Sequence, residues 1–349
     1  MPKSDAPAAE LPPGAMAVSP WALPWLAWRR VLKRVWVMTG FHELGLLAAG
    51  LAFYTFLALT PLIAATVMIY GLVGNARTVG RQMERLAQVL PPEAAHILEA
   101  QLIRIVSTSS GVTGVALAIA LFFAIFGGMR AASGMISALN IINDEHETRG
   151  TIALYLREAA LTLAAVLIAL TGVLSGGVFA WLQTHASFYL GSSAQMLFTA
   201  LTWILAVCLG SGGFALIMRY GPDRRPAKWR WLAPGAVLAT LLWIAISFGF
   251  SLYVAYLSDY NATYGSLSAI VVFLMWLFLS AYGVLVGALL NAEIERQTRN
   301  DTTVGPPRPP GERGAVLADI IDDSEPSLAQ LEARKRRRAE RARAHTGKA

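Results

Sequence analysis

Residues 231–291 read WLAPGAVLATLLWIAISFGFSLYVAYLSDYNATYGSLSAIVVFLMWLFLSAYGVLVGALLN, with Asp259 as their one charged side chain. A helix needs ~20 apolar residues to cross about 30 Å of hydrocarbon. The stretch therefore holds two crossings, Trp231 to Leu257 and Ser266 to Leu290, joined by the polar run SDYNATYGSL at 258–267. Asp259, Asn261 and Gly265 supply turn chemistry, and Tyr256, Tyr260 and Tyr264 suit an aromatic belt at a membrane interface. Asn261-Ala262-Thr263 also matches a glycosylation pattern, but it lies within a few residues of both spans, and a tight turn is the better reading.

Four further stretches qualify on the same grounds: 46–73, 112–129, 159–182 and 194–218. The expectation is an all-α polytopic membrane protein with six transmembrane helices. Composition agrees, since 55% of the 349 residues are hydrophobic and 15% are charged, against about 25% charged in a soluble domain. Mean hydropathy is +0.51. None of the six windows contains Asp, Glu, Lys or Arg.

Lys and Arg concentrate on the cytoplasmic side of membrane spans. With six spans, 25 of the 29 basic residues fall on the face that carries both termini. The other four, Arg77, Arg81, Arg85 and Arg104, all lie in the first loop. Both termini are expected to be cytoplasmic, with the 258–267 turn outside.

Residues 1–20 read as a disordered Pro/Ala-rich arm without the apolar core of a cleavable signal. Residues 21–38 read as an amphipathic helix lying in the interface. Trp25, Trp28, Leu32, Val35 and Trp36 fall on one arc, with Arg29, Arg30, Lys33 and Arg34 beside them as a membrane anchor. The membrane domain is expected over 39–296. It includes a first external loop at 74–110, too long for a plain connection, where Val79, Met83, Leu86 and Leu90, then Ala95, Leu98, Leu102 and Ile105, recur at helical spacing. That loop reads as a cap, a lid or a docking surface. From 297 to 349 a disordered basic tail is expected, opening on the Pro/Gly-rich VGPPRPPGERG and carrying Arg334 to Arg338, a solvated run of cations.

Catalytic chemistry finds little support. The five histidines are scattered, and the acidic run 143–147 reads as a solvated loop without the ligand alternation of a calcium site. There is no phosphate-binding GxxxxGK[ST], no GxGxxG and no GxSxG elbow. Cys208, the one cysteine, is expected to be buried and inert. An ionisable residue inside a membrane is a functional hypothesis by default, yet the candidates stand at span edges: His42 and Glu43, Arg130 at the inner end of the second span, Asp259 and Glu293. The spans offer small residues for close helix packing instead. Gly172 and Gly176 form a GxxxG, and Ser280, Gly283, Gly287 and Asn291 form a stripe down the last span.

Four stretches together resemble the YihY/BrkB family of bacterial inner-membrane proteins: LAAGLAFYTFLALTPL (47–62), GGMRAASGMISALNIIND (127–144), YGPDRRPAKWRWLAPGAVLATLLWIAISFGFSLYV (220–254) and YNATYGSLSAIVVFLMWLFLSAYGVLVGALLNAEIER (260–296). The chain departs from the family's frequent GAELNAE at Leu289. Asn291 and Glu293 are the matching polar positions. The resemblance implies a six-helix inner-membrane protein linked to serum resistance and to movement of lipids or lipopolysaccharide precursors. It also implies an old label as ribonuclease BN, which the absence of an HxHxDH-like ligand set argues against.

The resulting expectation is a non-enzymatic protein of the bacterial inner membrane that assists lipid translocation. Arg130, Arg219, Arg224 and Arg225 would engage headgroups inside, Tyr260, Asn261, Tyr264 and Gly265 would line the outer exit, and Asn291 and Glu293 would lie along the path. Expected partners are membrane lipids, anionic ones above all, and an envelope protein met through 74–110. No cofactor, metal or specific nucleic acid is called for. The alternative is a scaffold that docks an envelope complex through the same loop without transporting anything.

Overall fold

The computed structural model describes residues 12–73, 114–256 and 266–319. The described residues are helical apart from connections, one isolated bridge and a short 3-10 turn at Pro20–Ala22. The helices are α1 (Trp25–Phe41), α2 (Leu44–Val73), α3 (Gly114–Ile142), α4 (Thr151–Tyr220), α5 (Trp229–Tyr256), α6 (Ser266–Glu295) and α7 (Val316–Asp319). Five windows are long and apolar enough to cross a membrane: Ala118–Ile142, Thr151–Gly172, Thr199–Tyr220, Trp229–Val254 and Ile270–Glu295. The pair α1 and α2, bent by 64° at His42 and Glu43, makes a sixth when taken together.

α4 is not a rod. Ile168 Cγ2 lies 3.3 Å from where a Cβ on Gly213 would stand, although 45 residues of straight helix would separate the two by about 67 Å. The chain must reverse between them, so the element supplies two of the apolar windows side by side. The sequence places a loop between spans at 182 and 194, and the reversal serves the same purpose within a run of helical backbone.

Neighbour packing then closes a ring in which α2 lies against α3, α3 against α4, α4 against α5, α5 against α6, and α6 against α2. α5 and α6 approach closest at Gly235 and Gly287. A Cβ on either would collide with the carbonyl oxygen of the other, and one on Gly287 would also stand 2.8 Å from Ala239 Cβ. One turn on, Gly283 faces Leu242 and Ile246. Gly172, by contrast, meets nothing within 4 Å. It is no packing contact among the described residues, and the surroundings of Gly176 lie outside them.

The buried apolar core gathers at one end of the ring, here called the proximal end. Met38, Leu44, Leu139, Ile142, Met218, Leu232, Leu285, Leu289 and Leu317 meet there. α1 lies against it through Ala27, Val31, Arg34 and Met38, a stripe at spacings of four, three and four, packed beside Trp231, Leu290 and Ile294. Its opposite face leaves Trp25, Leu32 and Trp36 exposed. Cys208, expected to be buried, is exposed on the outside of α4.

Two expectations of disorder fail over part of their length. Residues 12–20 and 297–319 are packed at the proximal end, with Ala15, Gln297, Thr298, Thr302 and Thr303 all at or below 2% exposure. They hold each other: Gln297 Nε2 donates to the Pro13 carbonyl at 2.7 Å, Thr298 Oγ1 to Ala17 at 2.8 Å, and the Arg299 N–H to Ala15 at 2.8 Å. Residues 1–11, the external loop 74–110 and the basic run beyond 319 lie outside the described residues.

Candidate functional site

The proximal end is built by local rules that bring distant charges together. α3 ends at Ile142, where Asn143 Nδ2 turns back to the Leu139 carbonyl at 2.8 Å. α4 ends at Tyr220 with the Gly221 N–H on the Ile217 carbonyl. The two loops that follow, 143–150 and 221–228, are joined side to side. Asn140 Oδ1 accepts the Asp223 N–H at 2.7 Å, and Asp223 Oδ2 accepts the Thr148 N–H at 2.7 Å and its hydroxyl at 2.6 Å. Arg149 binds Glu147 at 2.6 Å and the Gly221 carbonyl at 3.0 Å. Its hydrogen bond to Glu147 is the main reason its guanidinium is held above its ordinary pKa.

α6 delivers two carboxylates into this region. Glu293 accepts Arg34 Nε and Arg296 Nη1, each at 2.8 Å, and its backbone carbonyl accepts Arg34 Nη2 at 2.9 Å. All three side chains are within 3% of full burial. Glu295 holds Arg224 with two bonds of 2.5 and 2.8 Å and accepts the Thr302 hydroxyl, while Arg224 also reaches Asn143 Oδ1 at 3.0 Å. Burial disfavours charge on Arg224, but Glu295 outweighs it and the guanidinium stays above its usual pKa. Asn291 locks α6 to the first turns of α5. Its Oδ1 accepts the Gly235 N–H at 2.7 Å, and its Nδ2 donates to the Leu232 carbonyl at 2.9 Å.

Arg219, Arg224, Arg225, Asn291 and Glu293, five of the residues singled out by sequence, thus lie at one end. They do not form an open headgroup site. Arg219 donates to the Ala227 carbonyl at 2.6 Å and lies over Trp229, 4.6 Å from the ring centroid. Arg224 is taken by Glu295. Arg225 is covered by residues 305–314, with its backbone N–H on the Gly314 carbonyl and its Nη2 2.5 Å from where a Cβ on Gly305 would stand. Between Arg219, Arg224, Asn143, Asn291, Glu295 and Trp231 a space of about 20 Å³ remains for the centre of a water-sized sphere, room for a water and not for a lipid headgroup. Arg34, grouped by sequence with the interfacial cations Arg29, Arg30 and Lys33, is buried against Glu293 instead.

Arg130 stands apart. Sequence puts it at the inner end of a span at 112–129, but α3 runs on through small and apolar residues to Ile142. Arg130 is therefore midway along the Ala118–Ile142 window, about 18 Å from either end at 1.5 Å per residue. It is exposed on the surface of α3, its guanidinium 5.0 Å from the Phe126 ring centroid. Tyr260, Asn261, Tyr264 and Gly265 lie outside the described residues.

Sequence reading missed Glu295, Glu145 and the 300–319 strap. The run 143–147 is a working part of the proximal end and not merely a solvated loop. Glu145 Oε1 accepts the Val316 N–H at 2.7 Å, which caps α7. Burial pushes the Glu145 carboxyl from 4.5 up to about 7, against the Val316 bond and Arg224, with Glu295 and Asp223 adding to the rise. In the strap, Asp301 accepts Thr303 and Arg308 and is held below its usual range by those bonds, which outweigh its burial. A signal for Glu295 existed in the sequence: two carboxylates, 293 and 295, end an apolar span on the face that carries nearly all the cations. Among the described residues no group of three His, Cys, Asp or Glu is placed to hold a metal ion.

A family model described as "Virulence factor BrkB" matches residues 35–312. The chain is 26% identical over 272 residues to the "Putative ribonuclease-like protein YfkH" of Bacillus subtilis, covering 77% of this chain and 96% of that protein. It is 29% identical to a UPF0761 membrane protein of Rhodospirillum centenum, covering 80% of this chain and 60% of that one. It is 27% identical to a UPF0761 membrane protein of Tolumonas auensis, covering 80% and 89%. No solved structure matches.

Proposed function

We propose, from the premise that this chain belongs to the BrkB family of membrane proteins, that it assists the movement of anionic lipids or lipopolysaccharide precursors across the bacterial inner membrane. Arg130 carries the reading. An exposed cation at the middle of an apolar span is expensive in hydrocarbon and is rare without a task. Its guanidinium reaches roughly 6–7 Å from the backbone, too short to snorkel across about 18 Å of helix. A phosphate-bearing headgroup passing along α3 would meet that cation at mid-depth, where a charge pair is worth most and the alternative partner, water, is scarce.

The proximal end is the cytoplasmic one in this reading, as the cation excess supports. The hydrogen bonds that join 12–17 to 297–300 support a reading in which both segments share one side, as an even number of crossings such as six requires.

The test is transbilayer movement of fluorescent anionic phospholipid in liposomes holding the purified protein, with Arg130→Ala and Arg130→Lys alongside. The expected result is movement above empty liposomes, lost with Ala and partly kept with Lys. Movement unchanged in Arg130→Ala would remove Arg130 from the path. None in the parent protein would turn attention to a scaffold working through residues 74–110.

A further inference from the structure

α1 has two unlike faces. Ala27, Val31, Arg34 and Met38 are buried on the bundle, and Arg34 is consumed by Glu293. On the opposite side Trp25 is 77% and Trp36 83% exposed, with Leu32 between them along the helix. Arg29 continues that stripe, and Lys33 and Arg30 follow round one flank. The helix holds no Asp or Glu. The segment leading into it is pinned by Gln297 and Thr298 and exposes Met16, Val18 and Trp21. Apolar side chains this large, held outward in one orientation, mark an interaction surface.

From this arrangement we infer that α1 and residues 16–21 form a shelf that seats on an anionic lipid surface, with its indole rings at headgroup level and Arg29 and Arg30 on the phosphates. Chemistry selects the occupant. Tryptophan suits the interface, with an apolar ring and an N–H that stays wet. Cations with no carboxylate on the same helix call for an anionic surface, and headgroup phosphates supply one at the depth where the rings settle. The shelf differs from an amphipathic helix that folds on the membrane, because Arg34 on Glu293 and the bonds to 297–300 fix it in the protein first.

Geometry agrees. α2 has 30 residues, Leu44–Val73, about 45 Å at 1.5 Å per residue, so it crosses about 30 Å of hydrocarbon without help from α1. α1 meets it at a bend of 64°. With α2 near the membrane normal, the stretch from Trp25 to Trp36, about 16 Å of helix, changes depth by only about 7 Å. Both rings therefore fit one interfacial layer. The shelf does not depend on Arg130 or on lipid movement.

The experiment uses the full chain carrying Cys208→Ser, with a bimane on Trp25→Cys or Trp36→Cys attached in detergent before reconstitution. In liposomes of phosphatidylcholine and phosphatidylglycerol, quenching by lipids with a nitroxide at the top or the deep end of an acyl chain gives the depth of each probe. Both probes are expected near the headgroups, within about 7 Å of each other. Two outcomes overturn the shelf. Depths about 16 Å apart would mean a helix that prolongs the α2 span, and no quenching by any lipid would mean a face covered by water, a second copy or another protein. The charge preference is read at Trp36→Cys as the ratio of quenching by labelled phosphatidylglycerol to that by labelled phosphatidylcholine, each at the same low mole fraction. The ratio is expected to exceed about threefold and to fall close to one with Arg29→Gln and Arg30→Gln together. A ratio of one in the parent, or one that the double change leaves alone, overturns the anionic surface as the occupant.

Discussion

Replacing Glu293 by Ala removes the carboxylate that lies between two buried guanidiniums. In the parent protein Arg34 Nε and Arg296 Nη1 each stand 2.8 Å from it, and the three side chains are 3%, 2% and 1% exposed. With so little solvent to take over, the truncation leaves like charges buried without compensation, which costs about 3–5 kcal/mol. That is a large share of a total stability of roughly 5–15 kcal/mol. Glu293→Gln keeps one acceptor and the volume, so it should cost less than Ala. The pair also fixes α1 against α6, and the loss should loosen α1 before the ring. The assay is reversible unfolding in mixed micelles with increasing denaturing detergent, run as a cycle with Arg34→Met, Glu293→Gln and the double variant. The double should be less destabilised than the sum of the singles by about 1.5–3 kcal/mol, as expected for a hydrogen bond between charged groups. Additive singles of under about 1 kcal/mol each, the behaviour of an exposed pair, would refute the buried triad.

Gly287→Val should separate α5 from α6, because even a Cβ at that position collides with Gly235 and stands 2.8 Å from Ala239. A loss of about 1–3 kcal/mol or failure to accumulate is expected, measured by the same unfolding titration, whereas Gly172→Val, with nothing among the described residues within 4 Å, should be nearly neutral. Asn291→Ala strands the Leu232 carbonyl and the Gly235 N–H and should cost about 1–3 kcal/mol. Asn291→Asp keeps the acceptor for Gly235 but turns a second oxygen on the Leu232 carbonyl, so it should rescue nothing. Cys208, exposed on α4 within the Thr199–Tyr220 window, should be shielded from maleimide by lipid in the bilayer, because the reacting thiolate forms in water, and should label once the protein is unfolded.

The ring of helices was legible because apolar runs of the needed length announce themselves, and because charges are excluded from hydrocarbon. The same rule, treating a charge as a boundary, ended the second span at Met129, whereas the helix of α3 continues unbroken past Arg130 to Ile142, with Gly127, Gly128 and Gly134 allowing close approach to α2 and α4. The strap was illegible for a different reason. Its order comes from backbone bonds to Pro226, Lys228 and Arg225 and from the folding of Asp301 and Arg313 onto nearby main chain, none of which leaves a hydrophobic period. Pro and Gly mark turns as readily as linkers, and VGPPRPPGERG is turns. The Arg34–Glu293 and Arg224–Glu295 pairs join residues 259 and 71 apart. No local pattern specifies them, although an apolar span ending in two carboxylates among so many cations was a hint that some arginines are consumed internally.

The most direct test of the central claim is the ratio of anionic to zwitterionic phospholipid movement in the same protein-containing liposomes, for the parent and for Arg130→Gln. A mid-span cation on the path predicts that the parent moves the anionic probe faster and that Gln brings the ratio close to one. A parent ratio of one, or a ratio that Arg130→Gln leaves unchanged, would contradict a headgroup role for Arg130 and with it the proposed function.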